Sequence, residues 1–342
     1  MTTNTRNHLS AFDGFRFFCF LSIFLYHALW PGFGWAAPLR VGVPLFFTLS
    51  GFLIGGILLK MRDSEKTLAE KLKTFYIRRS LRIFPIYYLL LGIIALASAL
   101  KSPFFGGGQH LGWSATYLLN MKEWSIGHLI DGQGHLWSLC VEEQFYLLAP
   151  LALLLLPYRG MQIGFIILWI AVLIAKLLSS PTGMAYALMP MESDYLTMGI
   201  AAAMIERDGH FLGIQRDLLL RAGLVAAVLW FIGICLFREQ EYYLSACLLP
   251  LASAALVSAL WRRQWHGVDA LLSWRPLVYL GAMTYGLYLY HPYALKICDK
   301  IAAIGWEHPI RHSIAALALT IVVAALSWHL IESPINRLKD RF

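Results

Sequence analysis

The residues able to do chemistry stand inside apolar runs, where they are costly. His135-Leu136-Trp137-Ser138-Leu139-Cys140-Val141-Glu142-Glu143-Gln144-Phe145-Tyr146 opens an apolar stretch that reaches Leu156. At roughly 100° per residue on a helix, His135, Ser138, Glu142 and Tyr146 share one face. Glu143 falls about a third of a turn away. In a bilayer, an ionised carboxylate costs roughly 2.5–3.5 kcal/mol near the centre, so such a pair needs counter-groups or a water-filled cavity. The plainer alternative is a helix-end pair at the lipid interface. Near the N-terminus a second apolar run carries Asp13, Arg16 and His27. Arg16 and His27 share a helix face about three turns apart. A histidine is a general base near neutral pH when a carboxylate orients its other nitrogen, and Glu142 or Glu143 reaches a similar depth. Arg16 would then hold an anionic or phosphate-bearing ligand. Against this stand a His27 satisfied by a backbone carbonyl and an Arg16 snorkelling to headgroups.

Three further groups are less specific. In Phe75-Tyr76-Ile77-Arg78-Arg79-Ser80-Leu81-Arg82-Ile83-Phe84-Pro85, Arg79 and Arg82 are neighbours on one face. The planar guanidinium suits phosphate, although taken alone such a cluster is better explained as an anchor gripping anionic lipid. Met283-Thr284-Tyr285-Gly286-Leu287-Tyr288-Leu289-Tyr290-His291-Pro292 reads as an aromatic belt, with His291 either in a cavity or at the interface. Glu332-Ser333-Pro334 offers a carboxylate to the Arg78/Arg79/Arg82 cluster or to solvent.

The elements that must position these groups are membrane helices. The 342 residues are 58% hydrophobic and only 14% charged, against about a quarter charged in soluble domains. The chain reads as an all-α polytopic membrane protein forming a single domain over 1–342. About ten transmembrane helices are expected, near 15–34, 41–60, 82–100, 136–157, 161–179, 192–206, 220–237, 242–261, 275–296 and 312–331. A cytoplasmic N-terminus with alternating spans puts most of the 28 lysines and arginines inside, with both termini cytoplasmic. Arg238 is among the few outside. The longest loops are then 61–81 on the inner side and 101–135 on the outer, the latter with an irregular turn at Gly106-Gly107-Gly108.

Several classes drop out. The net charge of +8 is scattered between apolar segments without stacking aromatics in a soluble domain, so no nucleic-acid partner is expected. Asp13, Arg16 and His27 are out of place in a signal peptide cleaved near Ala36-Ala37. The five cysteines have neither metal-ligand nor disulfide spacing and read as small core residues; no metal is expected. No Gly-x-Ser-x-Gly elbow or phosphate-binding Gly-x-x-x-x-Gly-Lys loop occurs.

Taken together, these pieces resemble the acyltransferase-3 family of bacterial integral-membrane O-acyltransferases. The matching stretches are Asp13-Gly14-Phe15-Arg16 with His27, Phe46-Phe47-Thr48-Leu49-Ser50-Gly51-Phe52-Leu53-Ile54, the Phe75–Pro85 and His135–Tyr146 motifs, Tyr285–His291 and Glu332-Ser333-Pro334. They run nearly end to end, and their order is more specific than any one of them. The resemblance implies that Arg16 and His27 are essential, that Arg79 and Arg82 form the family's Arg-x-x-Arg pair, and that Ser138, Leu139 and Glu142 form its Ser-Leu-x-x-Glu motif. The departure at Leu136 is mild. The resemblance further implies the stand-alone type without a fused extracytoplasmic domain, set in the bacterial cytoplasmic (inner) membrane among its lipids.

It also implies a direction of travel. Acyl-CoA, most simply acetyl-CoA, is the co-substrate; Arg79, Arg82 and Arg16 would hold its phosphates. The acceptor hydroxyl belongs to a surface saccharide or lipid-linked glycan arriving from outside, through loops 101–135, 179–192 and 297–311. His27 would deprotonate that hydroxyl or carry the acyl group itself, with Ser138 or Tyr146 as oxyanion donors. A transporter of a small anion would also bury His, Arg and Glu, but matched repeats with broken helices are not evident. A membrane-bound acyl hydrolase or lipid-modifying transferase differs only in its acceptor.

Overall fold

The computed structural model describes residues 3–29, 33–102, 104, 108–179, 183–237, 240–302 and 309–341. Gly106, Gly107, Arg238 and parts of the loops 179–192 and 297–311 lie outside them. In chain order the helices are α1 (Thr3–Leu29), α2 (Gly42–Arg62), α3 (Leu68–Ala99), α4 (Leu111–Ala115), α5 (Leu119–Ile126), α6 (Trp137–Leu155), α7 (Tyr158–Leu178) and α8 (Met189–Asp208). A two-residue hairpin follows, β1 (His210–Phe211) antiparallel to β2 (Ile214–Gln215), with Phe211 opposite Ile214. Then come α9 (Arg216–Leu236), α10 (Glu241–Trp261), α11 (His266–Leu272), α12 (Arg275–Ala282), α13 (Thr284–Ala302), α14 (Pro309–Ser327) and α15 (Ser333–Asn336).

The chain is a multi-pass, all-α membrane protein. Among the described residues eight helical stretches are long and apolar enough to cross a bilayer. The two other expected spans are helical but more polar. The sixth coincides with α8, which buries Glu192, Ser193 and Asp194. The ninth is broken at Met283 into α12 and α13, and α13 carries His291, Lys296, Asp299 and Lys300. The third helix starts fourteen residues before the expected span, at Leu68, so Arg79 and Arg82 stand within α3 rather than at a loop's end. The expected outer loop likewise holds α4 and α5. Cys19, Cys140 and Cys298 are buried as expected, but Cys235 and Cys247 are exposed. A thiol is apolar enough to lie on the outward face of a membrane helix, so apolar surroundings alone did not place them in the core.

Two compact units divide the chain. The first comprises residues 1–42, 69–138 and 270–342; the second comprises 43–68 and 139–269. In the first, α1 packs on α12, α13 and α14, and α13 packs on α14. Phe12, Phe20 and Phe24, on one side of α1, are fully buried. Hydrophobic driving force is weak between lipid-embedded helices, so close backbone approach has to supply the attraction. Two glycines make it reciprocal: a Cβ on Gly14 would stand 1.9 Å from the Leu272 carbonyl oxygen, and one on Gly281 would stand 1.8 Å from that of Asp13.

The second unit repeats the device between α2 and α8, where Gly51 abuts the Leu196 carbonyl and Gly199 that of Thr48. Arg62, at the end of α2, donates to the carbonyls of Leu153 (2.6 Å) and Leu156 (2.8 Å), satisfying the C-terminus of α6. Lys176 and Asp194 form a buried pair, with Nζ 2.8 and 3.0 Å from the two carboxylate oxygens and 4.4 Å from the Tyr195 ring centre. Removing one partner strands the other charge. Lys176→Met is therefore expected to destabilise the folded protein by ~3–5 kcal/mol. Denaturant unfolding in detergent measures this, and a loss below about 1 kcal/mol would show the pair to be energetically idle.

Candidate active site

In the first unit the structure gathers His27, His135, Ser138 and His291 around the tyrosine-rich turn of α13. The local cause is Pro292. Proline has no N–H, so the carbonyl four residues earlier, on Tyr288, loses its helical partner. His291 takes it over, with Nδ1 2.7 Å from that oxygen. The other ring nitrogen of His291, Nε2, lies 2.8 Å from His27 Nδ1, the two rings nearly coplanar at 6°. His291 is wholly buried, with Phe20 and Phe24 set edge-on to its ring, whereas His27 is exposed.

A second hydrogen-bonded set fixes the entry to α6. Tyr288 donates its hydroxyl to the His135 carbonyl at 2.9 Å, and Ser138 Oγ lies 2.6 Å from the Tyr288 hydroxyl. His135 Nε2 reaches the Leu289 carbonyl at 3.2 Å, and its ring stands 5.9 Å from that of His291. Ser138 has one proton, and these contacts use it; oxyanion binding by Ser138 would require it to leave this set.

The charged groups are arranged as follows. Arg16 donates to Asp13 at 2.5 Å, one turn apart on α1. Arg79 lies over the Phe75 ring, 5.9 Å from its centre. Glu332 is buried within electrostatic reach of Arg82, as one reading of the sequence had it, and accepts from Ser327 Oγ at 3.2 Å. Tyr290 extends that set, its hydroxyl 3.0 Å from Ser327. Trp328–Glu332 forms a π-turn. A π-turn brings residues five apart into line, which is what puts Ser327 under Glu332.

In the second unit Tyr146 donates to Glu142 Oε1 at 3.2 Å and is itself bonded to Ser50. The tyrosine proton is committed to the carboxylate, so Ser50 is the donor to Tyr146, and a Ser50–Tyr146–Glu142 relay results. Glu143 is the next residue on the same helix.

The sequence reading also passed over a buried carboxylate in the expected outer loop. Glu123 on α5 is fully buried, with Oε1 accepting the Ile130 N–H at 2.9 Å and Oε2 unbonded. Burial pushes its carboxyl up to about 8 from 4.5, the Ile130 bond opposing. Only the polar character of the 101–135 stretch is visible in the sequence. The folded state therefore keeps a proton that the unfolded chain releases, and stability falls as pH rises from about 4.5 to about 8. Glu123→Gln keeps the acceptor for Ile130 and removes the proton. Its melting temperature should match wild type near pH 4.5 and exceed it increasingly up to pH 8, whereas parallel curves would mean that Glu123 does not titrate there.

The family model described as an acyltransferase domain matches residues 9–329, nearly the whole chain. The chain belongs to the acyltransferase-3 family. All twelve residues singled out in the sequence fall within the match or, for Glu332, three residues beyond it. YrhL of Bacillus subtilis (strain 168) is 29% identical over 366 residues, covering 98% of this chain and 56% of that protein. Peptidoglycan O-acetyltransferase OatA of Listeria monocytogenes is 26% identical over 362 residues, covering 98% and 57%. O-acetyltransferase OatA of Staphylococcus aureus (strain NCTC 8325) is 25% identical over 361 residues, covering 96% and 57%. The chain thus spans a little over half the length of the curated relatives it matches. No solved structure matches.

Proposed function

We propose that this acyltransferase-3 chain is a membrane O-acetyltransferase that moves an acetyl group from cytoplasmic acetyl-CoA to a hydroxyl of a cell-envelope saccharide, in the bacterial inner membrane. The single observation that carries the reading is an exposed histidine, His27, whose Nδ1 is already held, inside a family of acyltransferases. The relatives named as peptidoglycan O-acetyltransferases favour a glycan of the peptidoglycan kind as acceptor.

The chemistry follows from the groups present. His27 Nε2 takes the proton of the acceptor hydroxyl as its oxygen attacks the thioester carbonyl. The C–S bond then breaks, and the coenzyme A thiolate recovers the proton from the imidazolium. Alternatively Nε2 attacks the thioester first and coenzyme A leaves as the thiolate; the acceptor hydroxyl then takes the acetyl group from Nε2, and its proton passes to the thiolate. Arg79 and Arg82, with Arg16 held in place by Asp13, supply positive charge for the donor's phosphates. Glu332 beside Arg82 would orient that guanidinium. Glu142 and Glu143 stay in the proposal only on the strength of the Ser138-Leu139-x-x-Glu142 motif; the group held against His27 Nδ1 is His291, and Tyr146 is bonded to Glu142.

Proteoliposomes supplied with acetyl-labelled acetyl-CoA and envelope glycans test this. The label is expected on saccharide, and Arg79→Gln with Arg82→Gln should raise KM for acetyl-CoA by about tenfold or more, as charge-assisted phosphate contacts are lost. Label that stays on coenzyme A with glycans present would overturn the reading in favour of transport or another acceptor.

A further inference from the structure

His291 has no assigned part in the proposed reaction, yet its hydrogen bonds decide which atom of His27 can react. A nitrogen 2.7 Å from a carbonyl oxygen must carry a proton, so His291 Nδ1 is the donor to Tyr288. His291 is fully buried, its ring neighbours are Phe20, Phe24, His27, His135 and Tyr288, and no carboxylate is bonded to it among the described residues. An imidazole in such a place is neutral, because nothing repays the cost of burying its charge. A neutral ring with a protonated Nδ1 has a bare Nε2, which can only accept. His27 Nδ1, 2.8 Å away, is therefore the donor. That leaves the lone pair of His27 on Nε2.

We propose that His291 is a positioning residue that locks His27 in the Nδ1–H tautomer, so that Nε2 is delivered to the reaction as base or nucleophile. The Tyr288 carbonyl freed by Pro292 is the anchor of the relay. In free histidine the opposite tautomer is the common one, so without the relay most of the His27 population would present a protonated Nε2. The carbonyl here does for a neutral relay what a carboxylate does for a charged one: it fixes the ring and the proton. A neutral relay also adds no net charge inside the membrane, where a carboxylate at this place would need its own compensation. This inference rests on the reading of His27 as the reacting group.

The test uses the full-length protein in detergent or nanodiscs, with two readouts. First, ¹⁵N spectra of histidine-labelled wild type, the His27 signals being assigned by their loss in His27→Ala, are expected to show a protonated Nδ1 and a bare Nε2. Second, His291→Phe keeps the ring's bulk and removes the acceptor, while His291→Gln keeps an oxygen able to accept from His27. Acetyl transfer by His291→Phe is expected to lose ~10²-fold in kcat with KM for acetyl-CoA within about twofold, and His291→Gln to recover at least about tenfold of that loss. A His27 protonated on Nε2 in the wild type, or a His291→Phe protein with wild-type kcat, overturns the proposal even if its fold is otherwise sound. Full activity of His27→Ala would instead remove the underlying reading, so the two failures are distinct.

Discussion

His27→Ala is expected to lose acetyl transfer by roughly 10²–10⁴-fold, the span that a positioned acid–base group contributes, while the protein is expressed and inserted at wild-type levels. The structure explains why the loss should be chemical. His27 is exposed, so its removal opens no buried cavity, and the partner it loses, His291, keeps its own bond to Tyr288. Labelled acetyl-CoA turnover, alongside size-exclusion profiles of the two purified proteins, separates the outcomes. Normal envelope acetylation by His27→Ala would exclude this histidine from the mechanism. If the wild type traps label on protein and the variant does not, the acetyl group passes through His27 itself; if neither traps label, direct transfer is favoured.

The second large effect is structural. Gly281→Leu is expected to prevent the first unit from assembling, since even a Cβ at this position would lie 1.8 Å from the Asp13 carbonyl oxygen, and backbone cannot retreat as a side chain can. Overpacking commonly costs about 1–3 kcal/mol, and a direct clash with backbone belongs above that range. Gly92, which has open space around it, is the matched control: Gly92→Leu should be well tolerated. Expression and monodispersity in mild detergent report both. A well-folded Gly281→Leu protein would show that α1 and α12 can separate without consequence.

How much of this was legible in the sequence depends on the range of the interaction. The helices, the membrane class and the placing of Asp13, Arg16 and His27 along one of those helices follow from residue type and spacing within one segment. The family motifs single out Arg79, Arg82, Glu142 and Glu332 as candidates. The partner of His27 was not legible, because it lies 264 residues away and depends on a carbonyl left open by a proline. The signal is a histidine immediately before Pro292 in a helix, which the sequence favours slightly as an interface residue over a cavity group. The contact between Ser327 and Glu332 was hidden for a different reason: an α-helical wheel puts residues five apart on different faces, and only the π-turn aligns them. In α8 the polar residues that make it a poor span by composition, Glu192, Ser193 and Asp194, are buried, whereas in α13 His291 is buried but Asp299 and Lys300 are exposed, so hydropathy alone does not tell an enclosed polar group from a solvated one. Glu123 shows the converse error, since a polar stretch is read as a solvated loop until its carboxylate is seen to be enclosed.

The interleaving of the first unit has a consequence for how the protein is made. Its helix α1 leaves the ribosome early, but the helices it packs against, α12 to α14, are encoded after residue 270. At translation speeds of ~5–20 residues per second, α1 waits on the order of 10–50 s before the backbone that fits Gly14 exists. During that interval Asp13, Arg16 and His27 sit on a helix whose own partners are missing, and α1 must be held by lipid, by the insertion machinery or by earlier segments. Slowed synthesis late in the message, or a stop before α12, would therefore expose the N-terminal helix to quality-control proteases, and mutations in α12 should lower the abundance of the protein through the fate of a segment more than two hundred residues upstream.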